Sequence, residues 1–220
     1  MKVHKKVHHK ALRYMWWRAI LPVLLLGLAA GHVICAESGS RVVLVFDGDT
    51  VMLGDHRRIR YIGINAPEVA HENQKAEPWA AEAKKLNQRL VLGKTVRLES
   101  DARRFDQYGR HLAYVFLQDG TFVNRAIIEQ GYAYFVYLRP NCRYDSQLLA
   151  AQQYAMEKKM GIWRSFQERP GPFLGNRASK RFHGPGCPFG RRTAKDNRLI
   201  FTTRWEAFRA GYAPCKKCQP

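Results

Sequence analysis

The sequence predicts a protein of mainly β structure with added helices: a five-stranded barrel with about three helices, followed by a small α+β domain. Three observations predict it. Apolar residues recur with period two after residue 40, three segments have helical periodicity, and the composition changes after residue 163. The chain has 220 residues, of which 46% are hydrophobic. This is enough for one or two domains, and it excludes a disordered polymer and a polytopic membrane protein.

Four alternating segments predict four or five short strands, separated by turn-forming Gly, Asp and Asn residues. These segments are residues 42–54, 57–64, 94–100 and 109–117. Amphipathic helices are predicted over residues 78–92, 122–130 and 144–159. Because so small a sheet needs closure or a covering helix, we expect a barrel of the oligonucleotide-binding type, the OB-fold.

The chain divides into four predicted parts, which are residues 1–36, 37–164, 165–175 and 176–220. The first part is basic and then apolar, a pattern typical of a secretory signal peptide with cleavage near Ala36. Its apolar core is shorter than the roughly 20 residues of a spanning helix. An uncleaved anchor is the alternative. In both cases we expect a secreted or periplasmic protein that meets the membrane through this segment alone.

The positive charge is distributed unevenly along the chain. The net charge of +19 divides into +6 for residues 1–36, +3 for residues 37–163 and +10 for residues 164–220. Clustered cations attract phosphates and release their counterions, so a strongly basic tail predicts a polyanionic partner such as a nucleic acid. The sequence implies no protein partner.

Charged side chains interrupt the apolar faces of the predicted strands. Alternation places Asp47 and Asp49 in line with apolar residues such as Val43, and it places Arg60 and Arg110 in the same way. Burying such groups without partners is costly, so we expect them to meet one another, a metal ion or a ligand. A structural ion-pair cluster at the barrel rim is the alternative.

Glu68 follows Pro67 at the end of the Arg60 strand and makes the set chemically specific. Carboxylate, amide and carbonyl oxygens suit a hard divalent cation, whereas paired guanidinium groups suit phosphate oxygens. The set therefore favours metal-assisted attack on a phosphodiester bond.

At these residues the sequence resembles the staphylococcal nuclease (thermonuclease) family, in four ordered blocks between about Val43 and Trp163. The blocks are Asp47-Gly48-Asp49-Thr50, Arg60 with Asn65-Ala66-Pro67-Glu68, Asp106-x-Tyr108-Gly109-Arg110, and Gly131 with Tyr137. The resemblance implies an OB-fold enzyme that uses calcium to hydrolyse DNA, with RNA as a further candidate substrate.

The resemblance implies a calcium site made of oxygen donors. Asp49 and Asn65 would bind the ion through their side chains and Ala66 through its carbonyl group. Asp47 would support these ligands without binding the ion itself. Asn65 departs from the family's usual aspartate, and Ala66 stands where threonine is frequent. Because the site loses one negative charge, we expect weaker calcium binding or altered selectivity.

The resemblance also implies roles in catalysis. Glu68 would act as general base or orient the attacking water, while Arg60 and Arg110 would bind the scissile phosphate and stabilise its growing charge. Tyr108 and Tyr137 would line the nucleotide pocket.

The tail carries a second signal, in which His183 and Cys187 are separated by 27 residues from Cys215 and Cys218. Two close pairs around a folded segment are a zinc-site spacing, and thiolates with imidazole suit tetrahedral zinc. So small a zinc-binding α+β domain would draw folding energy from the metal. A Cys215–Cys218 disulfide with Cys187 free is the alternative, because an exported protein meets oxidising conditions.

Residues 173–220 resemble the zinc-binding domain at the amino end of the Ada DNA methyl-phosphotriester repair protein. There, a cysteine at the first ligand position accepts the methyl group. This chain has His183 at that position, so we expect a structural zinc module without repair activity. Its candidate phosphate-binding residues are Arg191, Arg192, Lys195 and Arg198. A solvated basic face is the alternative for these four.

Two functions remain open at this point. One is an exported calcium-dependent nuclease whose zinc module tethers it to nucleic acid. The other is a non-catalytic exported nucleic-acid-binding protein. Glu68 and the two arginines favour the enzyme, whereas Asn65 favours the binding protein. If the module only tethers, deletion of residues 170–220 should leave cleavage of short oligonucleotides largely unchanged.

Overall fold

The computed structural model describes residues 39–70 and 74–219. The predicted signal segment, residues 1–36, lies outside this range. Within the described residues, every helix is too short or too polar to span a membrane.

A closed five-stranded barrel forms the first part of the described chain, as the sequence predicts. Its strands are β1 (Ser40–Val45), β2 (Thr50–Leu53), β3 (Arg58–Tyr61), β5 (Thr95–Glu99) and β6 (His111–Leu117). They close in the order β1-β2-β3-β6-β5, and β3 and β6 run parallel. A separate two-stranded sheet pairs β4 (Ile64–Asn65) with β7 (Tyr134–Phe135). It carries Asn65 to the edge of the barrel.

The pairing of β1 with β2 is irregular between Val42 and Leu44. Val42 is fully buried, whereas Val43 is 50% exposed. The expectation that Val43 shares an apolar face with Asp47 and Asp49 is therefore wrong, because the irregularity reverses the alternation of side chains. Both aspartates are nevertheless buried.

Three helices surround the barrel, close to their predicted positions. They are α1 (Ala80–Val91), α2 (Val123–Glu129) and α3 (Asp145–Glu157). Each is shorter than predicted by one or two residues at each end. At α1 the reason is visible in the backbone, because Trp79 is left-handed and Leu92 is extended.

Two glycines join the end of α2 to the segment after α3. A Cβ atom on Gly131 would lie 2.2 Å from the carbonyl oxygen of Met160, and one on Gly161 would lie 2.2 Å from that of Gly131. Both glycines have positive φ, 76° and 50°. The amide of Ile162 donates to the Gly131 oxygen at 2.8 Å, so the chain turns directly back from the helices toward its final part.

The final part is a small α+β module, as predicted. Its elements are β8 (Phe173–Asn176), β9 (Arg181–His183), α4 (Pro188–Arg191), β10 (Arg198–Phe201), α5 (Arg204–Arg209) and β11 (Ala213–Pro214). The strands form one sheet in the order β10-β8-β9-β11. We call residues 173–219 the C-terminal module.

The C-terminal module shares its hydrophobic core with α3. Ala155, Met156 and Trp163 belong to the same buried cluster as the module's Phe182 and Phe208. Gln152 of α3 is fully buried between the two parts. Its Oε1 accepts from the amide of Phe135 at 2.7 Å, and its Nε2 donates to the carbonyl of Phe208 at 2.6 Å. The barrel and the module therefore belong to one compact unit.

Candidate active site and metal centre

Asp47 and Asp49 lie in the tight turn between β1 and β2. The amide of Asp49 donates to Asp47 Oδ1 at 2.8 Å. Gly48 permits this turn, because a Cβ atom there would lie 2.5 Å from the Cβ of Ala66. Asn87 of α1, which is fully buried, donates from Nδ2 to the carbonyl of Asp47 at 3.0 Å. The helix thus fixes the turn against the barrel.

Asp49 is the centre of a buried polar cluster. Its Oδ1 lies 3.0 Å from Arg60 Nε, and its Oδ2 accepts from the amide of Ala66 at 2.7 Å. Burial raises the pKa of Asp49 to about 6; Arg60 opposes this and the nearby Asp47 carboxylate adds to it. The structure therefore brings the two predicted aspartates, Arg60 and Ala66 together. The buried ion pair between Asp49 and Arg60 also fits the alternative interpretation, a structural ion-pair cluster at the barrel rim.

Asn65 joins this cluster from β4. Its Oδ1 accepts from Arg60 Nη2 at 3.2 Å, and its Nδ2 donates to the Tyr134 hydroxyl at 3.0 Å. Burial raises the pKa of Tyr134 to about 12. Tyr134 thus orients the amide so that its oxygen lies on the side of Arg60 and Asp49.

The donors around this cluster suit a hard divalent cation. Asp47 and Asp49 place two buried carboxylates beside one guanidinium group. Burial is the main cause of the raised pKa of Asp49, and the nearby Asp47 carboxylate adds to it. The side-chain oxygen of Asn65 and the carbonyl of Ala66 are neutral oxygen donors beside them. An all-oxygen set with surplus negative charge is what Ca²⁺ or Mg²⁺ requires.

Two hydrogen bonds with Glu77 hold the backbone of Glu68. The amide of Glu68 donates to Glu77 Oε2 at 2.9 Å, and the amide of Glu77 donates to the carbonyl of Glu68 at 2.9 Å. The two residues close the base of the loop between them. Sequence reasoning missed Glu77, because nothing in the spacing shows that a loop closes on itself.

A tight turn before β6 positions Arg110. The Asp106 carboxylate accepts from the Tyr108 amide at 2.9 Å, from the Arg110 amide at 3.0 Å and from Arg110 Nε at 2.7 Å. Burial opposes ionisation of Asp106, but its bonds to Arg110 outweigh that effect and lower its pKa. Gly109 supplies the positive φ of 76° that the turn needs. The turn that contains Tyr108 and Arg110 therefore fixes the orientation of the Arg110 guanidinium group.

Two adjoining cavities collect most of the predicted site residues. Asn65, Glu68, Tyr108 and Arg110 line the larger one, of about 1110 Å³. Arg60, Asn65, Tyr108 and Arg110 line the smaller one, of about 250 Å³. The two cavities share three of the predicted residues, so together they form one cleft. We call it the active-site cleft.

Other predicted residues lie behind or beside the cleft. Asp47, Asp49 and Ala66 are not among its lining residues, and they reach it through Arg60 and Asn65. Tyr137 also lies outside the lining, although its neighbours Val136 and Leu138 belong to it. The ring of Tyr137 instead lies against Arg139, whose Nε donates to its hydroxyl.

His183, Cys187, Cys215 and Cys218 come together in the C-terminal module. Their ligand atoms all lie within 4.8 Å of one another, and Cys187 Sγ is 3.5 Å from His183 Nδ1. His183 ends β9, Cys187 precedes α4 and Cys215 follows β11, so three separate elements supply the four groups. The geometry confirms the grouping that the spacing predicts.

The residue types of this cluster suit a soft cation, and burial affects their protonation. Burial and Arg181 lower the pKa of His183, which keeps the imidazole in its neutral, ligating form. Burial raises the pKa of Cys218 to about 11, and the neighbouring thiols add to this. Cys215 and Cys218 are both free thiols rather than a disulfide. A tetrahedral set of three thiols and one imidazole fits zinc.

The four predicted phosphate-binding residues of the tail have different surroundings. Arg198 donates from Nε to the carbonyl of Thr193 at 2.9 Å and from Nη2 to that of Arg191 at 3.0 Å, so it stabilises the module itself. Arg191, Arg192 and Lys195 are exposed. None of these four lines the cleft. Their contact with phosphate stays a prediction.

Three basic residues of the module, Arg181, Arg204 and Lys216, do line the cleft, and sequence reasoning missed them. A signal for Lys216 was available, because it lies between two predicted metal ligands whose position the metal would fix. Nothing in the sequence indicates that this turn faces the barrel.

A closed OB-type barrel with buried carboxylates, two arginines and a glutamate around a cationic cleft defines a nuclease, a hydrolase of phosphodiester bonds. Comparison with known proteins agrees with this class. Residues 58–165 match the family described as staphylococcal nuclease homologue. Residues 171–220 match the metal binding domain of Ada.

Individual relatives identify the family. The chain is 35% identical to the thermonuclease of Staphylococcus hyicus over 138 residues, and this match covers 61% of this chain and 81% of the relative. It is 35% identical over 122 residues to the thermonuclease of Staphylococcus intermedius, 54% of this chain and 72% of the relative. It is also 37% identical over 149 residues to an Escherichia coli protein described as an uncharacterized endonuclease, 66% of this chain and 90% of the relative. The chain belongs to the staphylococcal nuclease family.

Proposed function

We propose that this protein is an exported, calcium-dependent nuclease that hydrolyses DNA, and RNA as a further substrate, with a zinc module that aids nucleic-acid binding. The supporting observation is the cleft, in which Glu68, Asn65 and the two arginines are lining residues. The proposed parts are a nuclease domain over residues 37–164, a linker over residues 165–175 and a zinc domain over residues 176–220.

The oxygen donors would hold the calcium ion. Asp49, Asn65 and the carbonyl of Ala66 would be its ligands, and Asp47 would hold the Asp49 turn. When bound, calcium supplies Lewis-acid stabilisation of charge on the phosphoryl oxygens.

Glu68 and the arginines act on the substrate itself. Glu68 accepts a proton from the attacking water or orients it, and its backbone is held by two hydrogen bonds with Glu77. Arg60 is held by the carbonyls of Tyr61 and Ile64, at 2.7 and 2.9 Å, so its guanidinium group is already aimed before the phosphate arrives. Such preorganised charge favours the transition state over the ground state.

The test is cleavage of plasmid and of a short oligonucleotide by the wild type and by Glu68→Gln. We expect cleavage to require calcium, to stop in chelator, and to fall by about 100-fold or more in the variant, the scale of a lost general base. Glu82→Gln is the matched control, because Glu82 is an exposed residue in the first turn of α1. It should cleave like the wild type.

A non-catalytic nucleic-acid-binding protein is the second candidate function, and Asn65 is the observation that favours it. If the zinc-loaded protein retards DNA in gel shifts but cleaves nothing at any calcium concentration, the enzyme proposal fails and this candidate stands.

Export is proposed from the basic and apolar pattern of residues 1–36. Cell fractionation with a carboxyl-terminal tag tests it. We expect the protein in the periplasm or medium, with the amino terminus of the recovered protein near residue 37. Recovery with the membrane at full length would show the anchored form, and recovery in the cytoplasm would contradict export.

A further inference from the structure

The C-terminal module forms one wall of the active-site cleft. Lys216 lines both cavities, and Arg181 lines the smaller one together with Arg60 and Arg110. Module residues and the proposed catalytic residues therefore line the same cleft. A module that served only as a distant tether would not need this arrangement.

This wall is fixed to the barrel at several points. Gln152 bonds to both parts, and the rings of Tyr134 and Phe208 lie 5.6 Å apart with edge-to-face geometry. Tyr134 also binds Asn65, the proposed calcium ligand. Tyr134 thus connects Phe208 of the module to Asn65 of the proposed metal site. Buried contacts set the position of the module relative to the cleft.

The turn that carries Lys216 is held within the module as well. It runs from Cys215 to Cys218, so two of the four grouped ligand residues bound it. The amide of Cys215 donates to the carbonyl of Phe182 at 2.9 Å, and Arg181 Nη1 donates to the carbonyl of Pro214 at 3.1 Å. Zinc bound at these ligands would fix the backbone of Lys216 further.

The charge of the cleft suits a polyanion that extends beyond one phosphate. The smaller cavity is lined by five cationic residues and one acidic residue, Asp106, which is already bonded to Arg110. Two arginines suffice for the scissile phosphate. The cations of the module are therefore not needed to bind the scissile phosphate. They suit a neighbouring phosphate of the same strand.

We propose that Lys216 is a substrate-binding residue of the nuclease site, which contacts the backbone phosphate next to the scissile one from the module's wall. This proposal rests on the proposed nuclease function. It replaces the tethering expectation, because a residue inside the cleft acts on short substrates as well as long ones. Arg181 is a positioning residue in this scheme, since it supports the turn through Pro214.

The test compares Lys216→Ala with Lys217→Ala. Both lysines are exposed and lie in the same turn, but only Lys216 lines the cleft. The two variants lose the same charge, so any tethering effect is matched. Zinc content measured by metal analysis, together with the thermal midpoint, verifies that both variants fold.

Binding is measured with a fluorescent five-nucleotide thymidylate in the Glu68→Gln background, so that no cleavage is needed. We expect Lys216→Ala to raise Kd about fivefold and to reduce the salt slope of log Kd by about 0.7, the value for one phosphate contact on a single strand. Lys217→Ala should change neither quantity. In the active background, Lys216→Ala should raise KM for the same oligonucleotide while kcat changes little.

The proposal is overturned if the two substitutions change Kd equally. It is also overturned if Lys216→Ala weakens binding to plasmid but not to the pentanucleotide. Either result would favour a module that acts only as a tether. These results are independent of catalysis. If the wild type cleaves nothing, the nuclease proposal fails, while the difference in binding between the two lysine variants can still be measured.

Discussion

The barrel and the C-terminal module solve the problem of stability in different ways. The barrel has its own large core, to which β2, β3 and β6 contribute fully buried residues such as Leu53, Ile59 and Tyr114. The module has a smaller cluster and completes it with residues of α3. Small domains bury too little surface to be stable alone. From this comparison we expect the thiol site to serve mainly the folding of the module, and the oxygen site of the barrel to serve the proposed chemistry.

The largest expected effect is loss of the thiol site. Cys187→Ser should abolish zinc retention and unfold the module, because metal binding supplies about 10 kcal/mol or more of apparent folding free energy in small zinc domains. Trp205 packs against Trp163 and Phe166, so its fluorescence should report the change. The barrel should still unfold cooperatively in urea.

Cys142→Ser is the matched control, because Cys142 is an exposed cysteine outside the cluster. An unchanged unfolding curve for Cys187→Ser would show that the module folds without metal and would break the comparison.

The next effect concerns the joint between the two regions. Gln152→Ala leaves the buried amide of Phe135 without its partner and removes one of the donors to the carbonyl of Phe208, which keeps its bond from the Gly211 amide. The free energy of unfolding should therefore fall by about 1–3 kcal/mol. Urea denaturation measures this. Gln153→Ala, which removes a bond of 2.9 Å to the carbonyl of Arg209 at a more exposed position, should cost much less. Equal losses of unfolding free energy in the two variants would mean that the buried bonds of Gln152 stabilise the protein no more than the more exposed bond of Gln153.

A smaller effect should appear at Asp101, within the barrel region. Burial opposes its ionisation, but bonds from the amides of Arg143, Ala102 and Cys142 and from the Tyr114 hydroxyl lower its pKa. A lowered folded-state pKa stabilises the protein above the unfolded pKa near 3.8, and this contribution disappears as the pH falls through the folded-state value.

Asp101→Asn should therefore cost about 1–2 kcal/mol at pH 7 and less at pH 3, measured by urea denaturation. The exposed Asp196→Asn in the module is the control. A loss that does not depend on pH would assign the effect to packing instead of charge.

The smallest effect sharpens the contrast between the two proposed metal sites. Asn65→Asp restores a negative charge beside Asp49, so calcium should bind about three- to tenfold more tightly, since carboxylate count tunes such sites. Calorimetric titration with calcium measures this. Zinc content should not change, because the two sites use different donors. Weaker calcium binding would indicate that the hydrogen bond from Asn65 to Tyr134 matters more than charge.

Much of this fold follows from local pattern. Alternation predicted the barrel strands, and helical periodicity predicted α1 to α3 within two residues, because both depend on which side of an element faces the core. Val43 was assigned to the wrong face, because a bulge is one extra residue that alternation cannot register.

The site was predictable where chemistry and sequence neighbours coincide. Asp49 and Arg60 were predicted from charged groups that interrupt apolar strand faces, Asn65 from the family resemblance, and the four zinc-type ligands from spacing. The contact of Tyr134 with Asn65 and the place of Lys216 at the cleft could not be predicted, because both arise when distant segments pack together. Only the tertiary structure brings the Cys215–Cys218 turn to the cleft.

Two hydrogen bonds join Glu68 to Glu77, although the two residues are nine positions apart in the chain. One runs from the Glu77 amide to the Glu68 carbonyl and the other from the Glu68 amide to the Glu77 carboxylate, so they fix the backbone that carries the Glu68 carboxylate. Gln74 and Glu77 from the same stretch border the larger cavity. Under the proposed function, substitution of Gln74 is therefore a route to a changed substrate preference that leaves both of these bonds in place.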